Sequence, residues 1–452
     1  MMLQRACYIL SSALFLASGT AGAQDHNLAT VSPREEAPSK ADREQAATGP
    51  QQPPPPQQAP GQPTQVEPRG NYKDQQNEAP RVGTQTLDPT YAGFIPVPNT
   101  PLLIKFNAKP RTDVTIDNRN SGDDNRFVTA LIPITNSPQY GGGTQFNINS
   151  KATQLSVDVR APSVDGAPRF YYENDFFGSG PGEFPYRITQ LYGEIYNLIV
   201  GMTYSVFEDP DVWPDTVDFE GPNAMVFARR PLVRYMLPLD EHWQMNFGIE
   251  QPGSEVDISN DPGASNVNHA PDIGFNVRWE EEKIGHIQFA MIFRDLGVIG
   301  GITGPQETFG WGVNLSGNFD LPWKDTLQTQ WTYGQGLFRY INDNFENNDG
   351  AFNSRGELKP IPYFGAMIGY THYWSEEWRS TATYGFVHLT NLASQAGTQY
   401  HETNYVSFNV VRQFRPRLSV GLEGLYGSKV DKADRTGDVF RVQIGLLFKL
   451  QE

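Results

Sequence analysis

From Leu102 to the end of the chain, apolar side chains return at every second position. "DVFRVQIGLLFKL" sets Phe440, Val442, Ile444, Leu446, Phe448 and Leu450 on one face, with Arg441, Gln443, Gly445 and Lys449 mainly opposite. "TFGWGVNLSG" sets Phe309, Trp311, Val313 and Leu315 against Gly310, Gly312, Asn314 and Ser316. "WQMNFGIE" divides Trp243, Met245, Phe247 and Ile249 from Gln244, Asn246, Gly248 and Glu250 in the same way. A period of two belongs to a half-buried strand, and a chain that keeps it this long is all-β. Sixteen strands are predicted, at about 104–116, 153–160, 168–177, 187–196, 199–207, 224–237, 243–250, 273–280, 286–294, 309–317, 326–341, 362–373, 379–389, 404–413, 418–427 and 438–450.

The connections decide between architectures. Short turns such as "APSVDGA", "LPLDEH", "EEKIG", "SGNFDLPWKD", "YWSEEW" and "FRPR" alternate with long loops at 208–223, 251–272, 295–308, 342–361 and 390–403. Soluble sandwiches and barrels share the alternation of faces but have no reason to sort loops by length. A membrane barrel does, with short turns inside and long loops outside. The expected fold is therefore a sixteen-stranded antiparallel transmembrane β-barrel with both ends on the periplasmic side. Aromatics beside the short turns fit its interfacial girdle: Trp243, Trp279, Trp323, Trp374, Trp378, Tyr235, Tyr370 and Tyr373.

The N-terminus agrees with export. "MMLQRACYILSSALFLASGTAGAQD" has a basic start, a short apolar stretch and an Ala-Gly-Ala cleavage site, giving a signal peptide over 1–23. The sole cysteine, Cys7, lies inside it, so the mature chain has no disulfide, thiolate metal site or Cys nucleophile. Residues 24–98 are rich in Pro and Gln and read as a disordered periplasmic arm, a spacer or a contact to the cell wall; 99–452 form the barrel. A net charge of -16 excludes general binding of nucleic acid. The histidines are scattered without close pairing, so no metal site is expected, and the Gly-rich stretches 178–185 and 297–310 precede no phosphate-binding Lys-Ser/Thr pair.

The stretches "IKFNAKPRTDVTID", "LSVDVRAP", "RFYYENDFFG", "YRITQLYGEIYNLIVGMTYSVFEDPDVWPDTVDFEGPN" and "FARRPLVRY" resemble the DcaP-like outer-membrane porins. The resemblance implies a sixteen-stranded, homotrimeric channel in the bacterial outer membrane, set among lipid and lipopolysaccharide. It also implies basic residues in the channel and small anions such as dicarboxylates as solutes. The chain departs from the family pattern at Gln154 and Gln190-Leu191, where basic residues are expected, in an arm without heptads, and in its "FKLQE" ending.

Parity nominates the channel-lining cations: Lys109 and Arg111 in the first strand, Arg160 at the end of the second, Arg169 in the third, Arg230 and Arg234 in the sixth, then Arg278, Arg294 and Arg441. Arg229 is expected to face the other way, at a rim or subunit contact. In "GAPRFYYENDFFG", Glu173 and Asp175 share a face with Arg169, about 6.6 Å apart per two-residue step. Such a pair could serve glycoside hydrolysis, but it fits a solvated pore wall better; Asn174 falls on the wrong parity, at a rim or bulge. The loop "EDPDVWPDTVDFEGPN" carries Glu208, Asp209, Asp211, Asp215, Asp218 and Glu220. Three readings stand: a constriction folded into the channel, a weak Ca2+ site that matches no dedicated calcium loop, and an ordinary acidic outer loop or trimer contact. No catalytic residue is nominated. The function expected is passive diffusion of small hydrophilic, anionic solutes; the rivals are a structural or adhesive barrel with a blocked pore and, further off, a barrel enzyme.

Overall fold

The structure is a computed structural model that describes Tyr91 and residues 93–450. The signal segment and most of the arm expected from the sequence lie outside the described residues. Among the described residues twenty strands are hydrogen-bonded in one sheet, against the sixteen expected. The difference has local causes. Pro110, which has no N–H to donate, divides the first span into Leu103–Lys109 and Arg111–Asp117. The expected second strand is Gln154–Arg160, and Gln145–Asn149, expected within a connection, precedes it across a turn at 150–153. Ile95–Pro96 and Ala264–Val267 are short additions that pair with Leu103–Ile104 and with the end of Gly285–Gly300.

The remaining ladders join each strand to its successor in antiparallel register and return to the start. Thr436–Phe448 pairs with Arg111–Asp117, and Gln154–Arg160 pairs with Leu103–Lys109. The sheet is closed on itself and its wall has no edge. Two sequence expectations need correction. Residues 295–308 are no long loop, because Gly285–Gly300 and Gln306–Asp320 run on past the body of the sheet and leave a turn at 301–305. Residues 336–341 are not strand either; they turn through a short 3-10 helix, Phe338–Tyr340.

The faces are inverted relative to a soluble protein. Phe106, Phe170, Val200, Phe247, Ile273, Phe289, Leu315, Ile368, Phe408, Leu422 and Ile444 are exposed on the outside, while Asn246, Gln288, Asn314, Gln330, Thr381, Asn409 and Gln443 are buried within. Apolar-out and polar-in suits a wall between lipid and a wet interior. At the short-turn end Trp243, Trp323, Trp374, Trp378, Tyr235 and Tyr370 are exposed and Trp279 and Tyr373 half-buried, as an interfacial girdle requires. Asn174 now has its reason. The register shifts between Glu173 and Asn174, a bulge, and Asn174 is buried opposite Leu155 with its side-chain oxygen accepting from the Tyr172 hydroxyl (3.0 Å).

Candidate functional site

The connection 205–228 does not stand outside the ring. It runs across the interior, and the inner wall is built to receive it. Asn314 Nδ2 donates to the Phe207 carbonyl (3.1 Å), Gln288 Nε2 to the Glu208 carbonyl (3.1 Å) and Gln330 Nε2 to the Ala224 carbonyl (2.9 Å). Asn409 Nδ2 donates to the Asp215 carbonyl (2.7 Å), and Gln443 Nε2 and Arg111 both reach the Val217 carbonyl. Glycines on the wall make room. A Cβ on Gly421 would lie 2.4 Å from Val217, one on Gly445 2.7 Å from Val217, and one on Gly369 2.7 Å from Pro214. The loop thus lies against the inner wall of the ring.

Its carboxylates take separate partners. Asp209 and Asp211 share Arg278 (3.2 and 2.8 Å), and Asp209 also meets His286 Nε2 (2.8 Å) and the Ser316 hydroxyl (2.6 Å). Burial works to raise the Asp209 carboxyl, but His286, Arg278 and the Ser316 hydrogen bond hold it below the usual range. Asp215 pairs with Arg379, and Glu220 with Arg126 (3.4 Å). Glu208 accepts from the Ala228 N–H (2.9 Å), and burial pushes it well up. Asp218, buried beside Glu220, is pushed up to about 7. The six carboxylates therefore do not converge on one calcium-like centre.

Most of the nominated cations are also engaged. Arg441 binds Asp117 (2.6 Å), Arg294 binds Asp272 and Asp349 (3.2 and 2.8 Å), and Arg111 binds Asp113 (2.9 Å). Arg160 and Arg169 both bind Asp158 (2.9 and 2.8 Å), and Lys109 is buried in the wall. Arg230 donates to the Arg339 carbonyl (2.8 Å) and Arg234 to that of Tyr204. The opening acids are tied as well. Glu173 accepts from Thr189 (2.8 Å) and Tyr171 (3.1 Å), and Asp175 binds Arg187.

A cavity of ≈ 210 Å³ lies against the loop, lined by four guanidiniums, Arg126, Arg187, Arg229 and Arg339, and by Glu220; Arg126, Arg187 and Arg339 also pair with Asp123, Asp175 and Glu255, which are not in the lining. Burial first, then the neighbouring Arg230 and Arg294 charges, lower Arg339 against the opposing pull of Glu255. Arg229, expected to face away, lines this cavity instead, stacked over Phe227 (4.8 Å). Gln154 is in the same lining, and Gln190 accepts from Thr203 (2.9 Å) on the wall. Arg126 and Arg339 come from the connections 118–144 and 336–361, whose destination no local pattern reveals. Arg187, not nominated from the sequence, is the cross-strand partner of Asp175. A second cavity of ≈ 100 Å³ is lined by Arg234, Arg278, Glu208 and Asp211 among others. Tyr204 borders both.

A closed antiparallel ring, apolar outside and polar inside, with a loop drawn across its interior, defines an outer-membrane porin. The chain belongs to the DcaP outer membrane protein family, whose model matches residues 78–449. It is similar in structure to the outer membrane channel DcaP of Acinetobacter baumannii, with a TM-score of 0.69 at 16% identity over 79% of this chain and 99% of that one. It is also similar to the outer-membrane protein OmpT of Vibrio cholerae (TM-score 0.49, 11% identity, 78% and 99% covered) and to OprB of Pseudomonas putida (0.48, 7%, 77% and 94%). No curated protein matches. The protein is thus a channel of the bacterial outer membrane, and its family and fold are those of a porin, not an enzyme.

Proposed function

We propose that this porin passes small anionic solutes of the carboxylate type, and that it does so as a homotrimer. The observation that carries the first part is the cavity with four guanidiniums and one carboxylate. A guanidinium offers paired donors that match a carboxylate, and crowded cations inside a low-dielectric wall favour an anion more than they would in open water. The chain's overall acidity does not oppose this, because the field in a narrow lumen is local.

Strand length supports the second part. Arg169–Asp175 and Leu198–Tyr204 have 7 residues each, whereas Gly285–Gly300 and Tyr400–Arg415 have 16. Seven residues reach ~23 Å along the strand, and less once tilted, which falls short of an apolar band of about 25 Å. That wall is still apolar outside, with Leu155, Phe170 and Val200 exposed. A second copy covers it without asking the lipid to thin.

The rival is a barrel whose pore is shut by its loops, since Phe338, Tyr340, Tyr363 and Tyr400 pack a buried apolar cluster inside the ring. Reconstitution into a planar bilayer separates the readings. Steps in groups of three with an anion-biased reversal potential are expected, and Arg229→Gln with Arg339→Gln should reduce the bias by several fold. No conductance would support the shut barrel, and a cation-biased reversal would remove the anionic solutes.

A further inference from the structure

Away from the lumen, three side chains meet at the long-loop end of the wall. His269 stands just before the strand Asp272–Glu281, Asp295 is in Gly285–Gly300, and Glu307 opens Gln306–Asp320. His269 Nδ1 is 3.0 Å from Glu307 Oε1 and 3.5 Å from Asp295 Oδ2, and one ligand atom from each lies within 4.8 Å of the others. The Asp295 Oδ2 atom is buried and receives no hydrogen bond among the described residues.

The arrangement is built into the sheet. Glu307 is the register partner of Gly297, and the imidazole lies over that glycine. A Cβ on Gly297 would come 2.9 Å from His269 Cε1 and Nδ1, so only glycine leaves the ring its seat. Metal–ligand bonds of ~2.0–2.1 Å set neighbouring ligand atoms about 3.0 to 3.4 Å apart, which is close to the two separations seen here. One neutral imidazole and two carboxylates balance a divalent charge, and the mixed nitrogen and oxygen set favours a borderline ion over Ca2+, which wants more oxygens.

We propose that His269, Asp295 and Glu307 form a divalent transition-metal site of the Zn2+ class on the outer rim, where the ion would clasp the segment before Asp272–Glu281 to the two tall strands. The other histidine–carboxylate group, Asp209, Asp211 and His286, is a poorer candidate because Arg278 binds both carboxylates. The histidines also meet at His388 and His401, whose rings are 4.7 Å apart, contrary to the scattered pattern expected. The His401 Nδ1 is engaged by Asn391 (2.8 Å).

The test is calorimetric titration of ZnCl2 into the full-length protein in detergent, with thermal melts in parallel. One saturable site per chain is expected, with Zn2+ raising the melting temperature. His269→Ala, Glu307→Gln and Gly297→Ala should each weaken it at least tenfold while the melt without metal shows a folded protein, and His388→Ala should leave it unchanged. Binding that survives His269→Ala, binding lost in His388→Ala, or no saturable binding at all would overturn the assignment.

Discussion

At the scale of the residue, Asp343 shows what an inverted interior asks of a carboxylate. It has no cation beside it among its hydrogen-bond partners. Instead it accepts from the Thr129 hydroxyl (2.8 Å), the Ala130 N–H (2.8 Å), the Tyr400 hydroxyl (2.7 Å) and the Thr403 hydroxyl (2.8 Å). Burial outweighs those bonds and pushes it up to about 6. The folded state therefore prefers the protonated acid. Its contribution is complete below about pH 4, where the unfolded carboxyl is also protonated, and is lost as pH rises through about 6. Asp218 adds a second step through about 7. Limited proteolysis of the long loops across pH 4–8 should show faster cutting as pH rises. Asp343→Asn should flatten the lower part of that profile and leave the part near 7.

The element that most repays attention is the inward loop together with the wall that seats it. Its hold depends on glycines as much as on polar bonds. Gly421→Ala or Gly445→Ala would set a methyl within 2.4 or 2.7 Å of Val217, a clash that costs ~1–3 kcal/mol and is relieved only by moving the loop. Both variants are expected to lower the melting temperature by a few degrees and to change single-channel conductance; a wild-type conductance would show that the loop does not set it. The strand cores were legible because the alternation is local: 243–250 and 362–373 match Trp243–Glu250 and Pro362–Tyr373. The ends were less legible, since tall strands such as Gln306–Asp320 continue past the apolar band without changing their period. The loop's acids were legible as a set, but not their partners. Asp215 and Arg379 are 164 positions apart, and only closure of the ring brings them together. The same holds for the cavity's Arg126 and Arg339.

Across the whole molecule, Tyr204 is the residue that borders both cavities. Trp213 packs edge-on against Tyr204 at 5.5 Å, and Arg234 holds the Tyr204 carbonyl. Tyr204→Ala should join the two spaces and raise single-channel conductance, while the reversal potential stays near wild type because the guanidiniums are untouched. A conductance equal to wild type would place the narrowest point elsewhere.

Closure of the ring through a single broken span also dictates how the molecule comes into being. Arg441 meets Asp117 across 324 positions of sequence, so the seam is the slowest contact to find and the last to be possible. Until Thr436–Phe448 arrives, two rows of N–H and C=O groups stand open, one at each margin of an otherwise finished sheet. Such margins invite strangers. A wall that lacks its final strand therefore keeps both margins unpaired together, and any shelter it receives before closure has to cover the two at once.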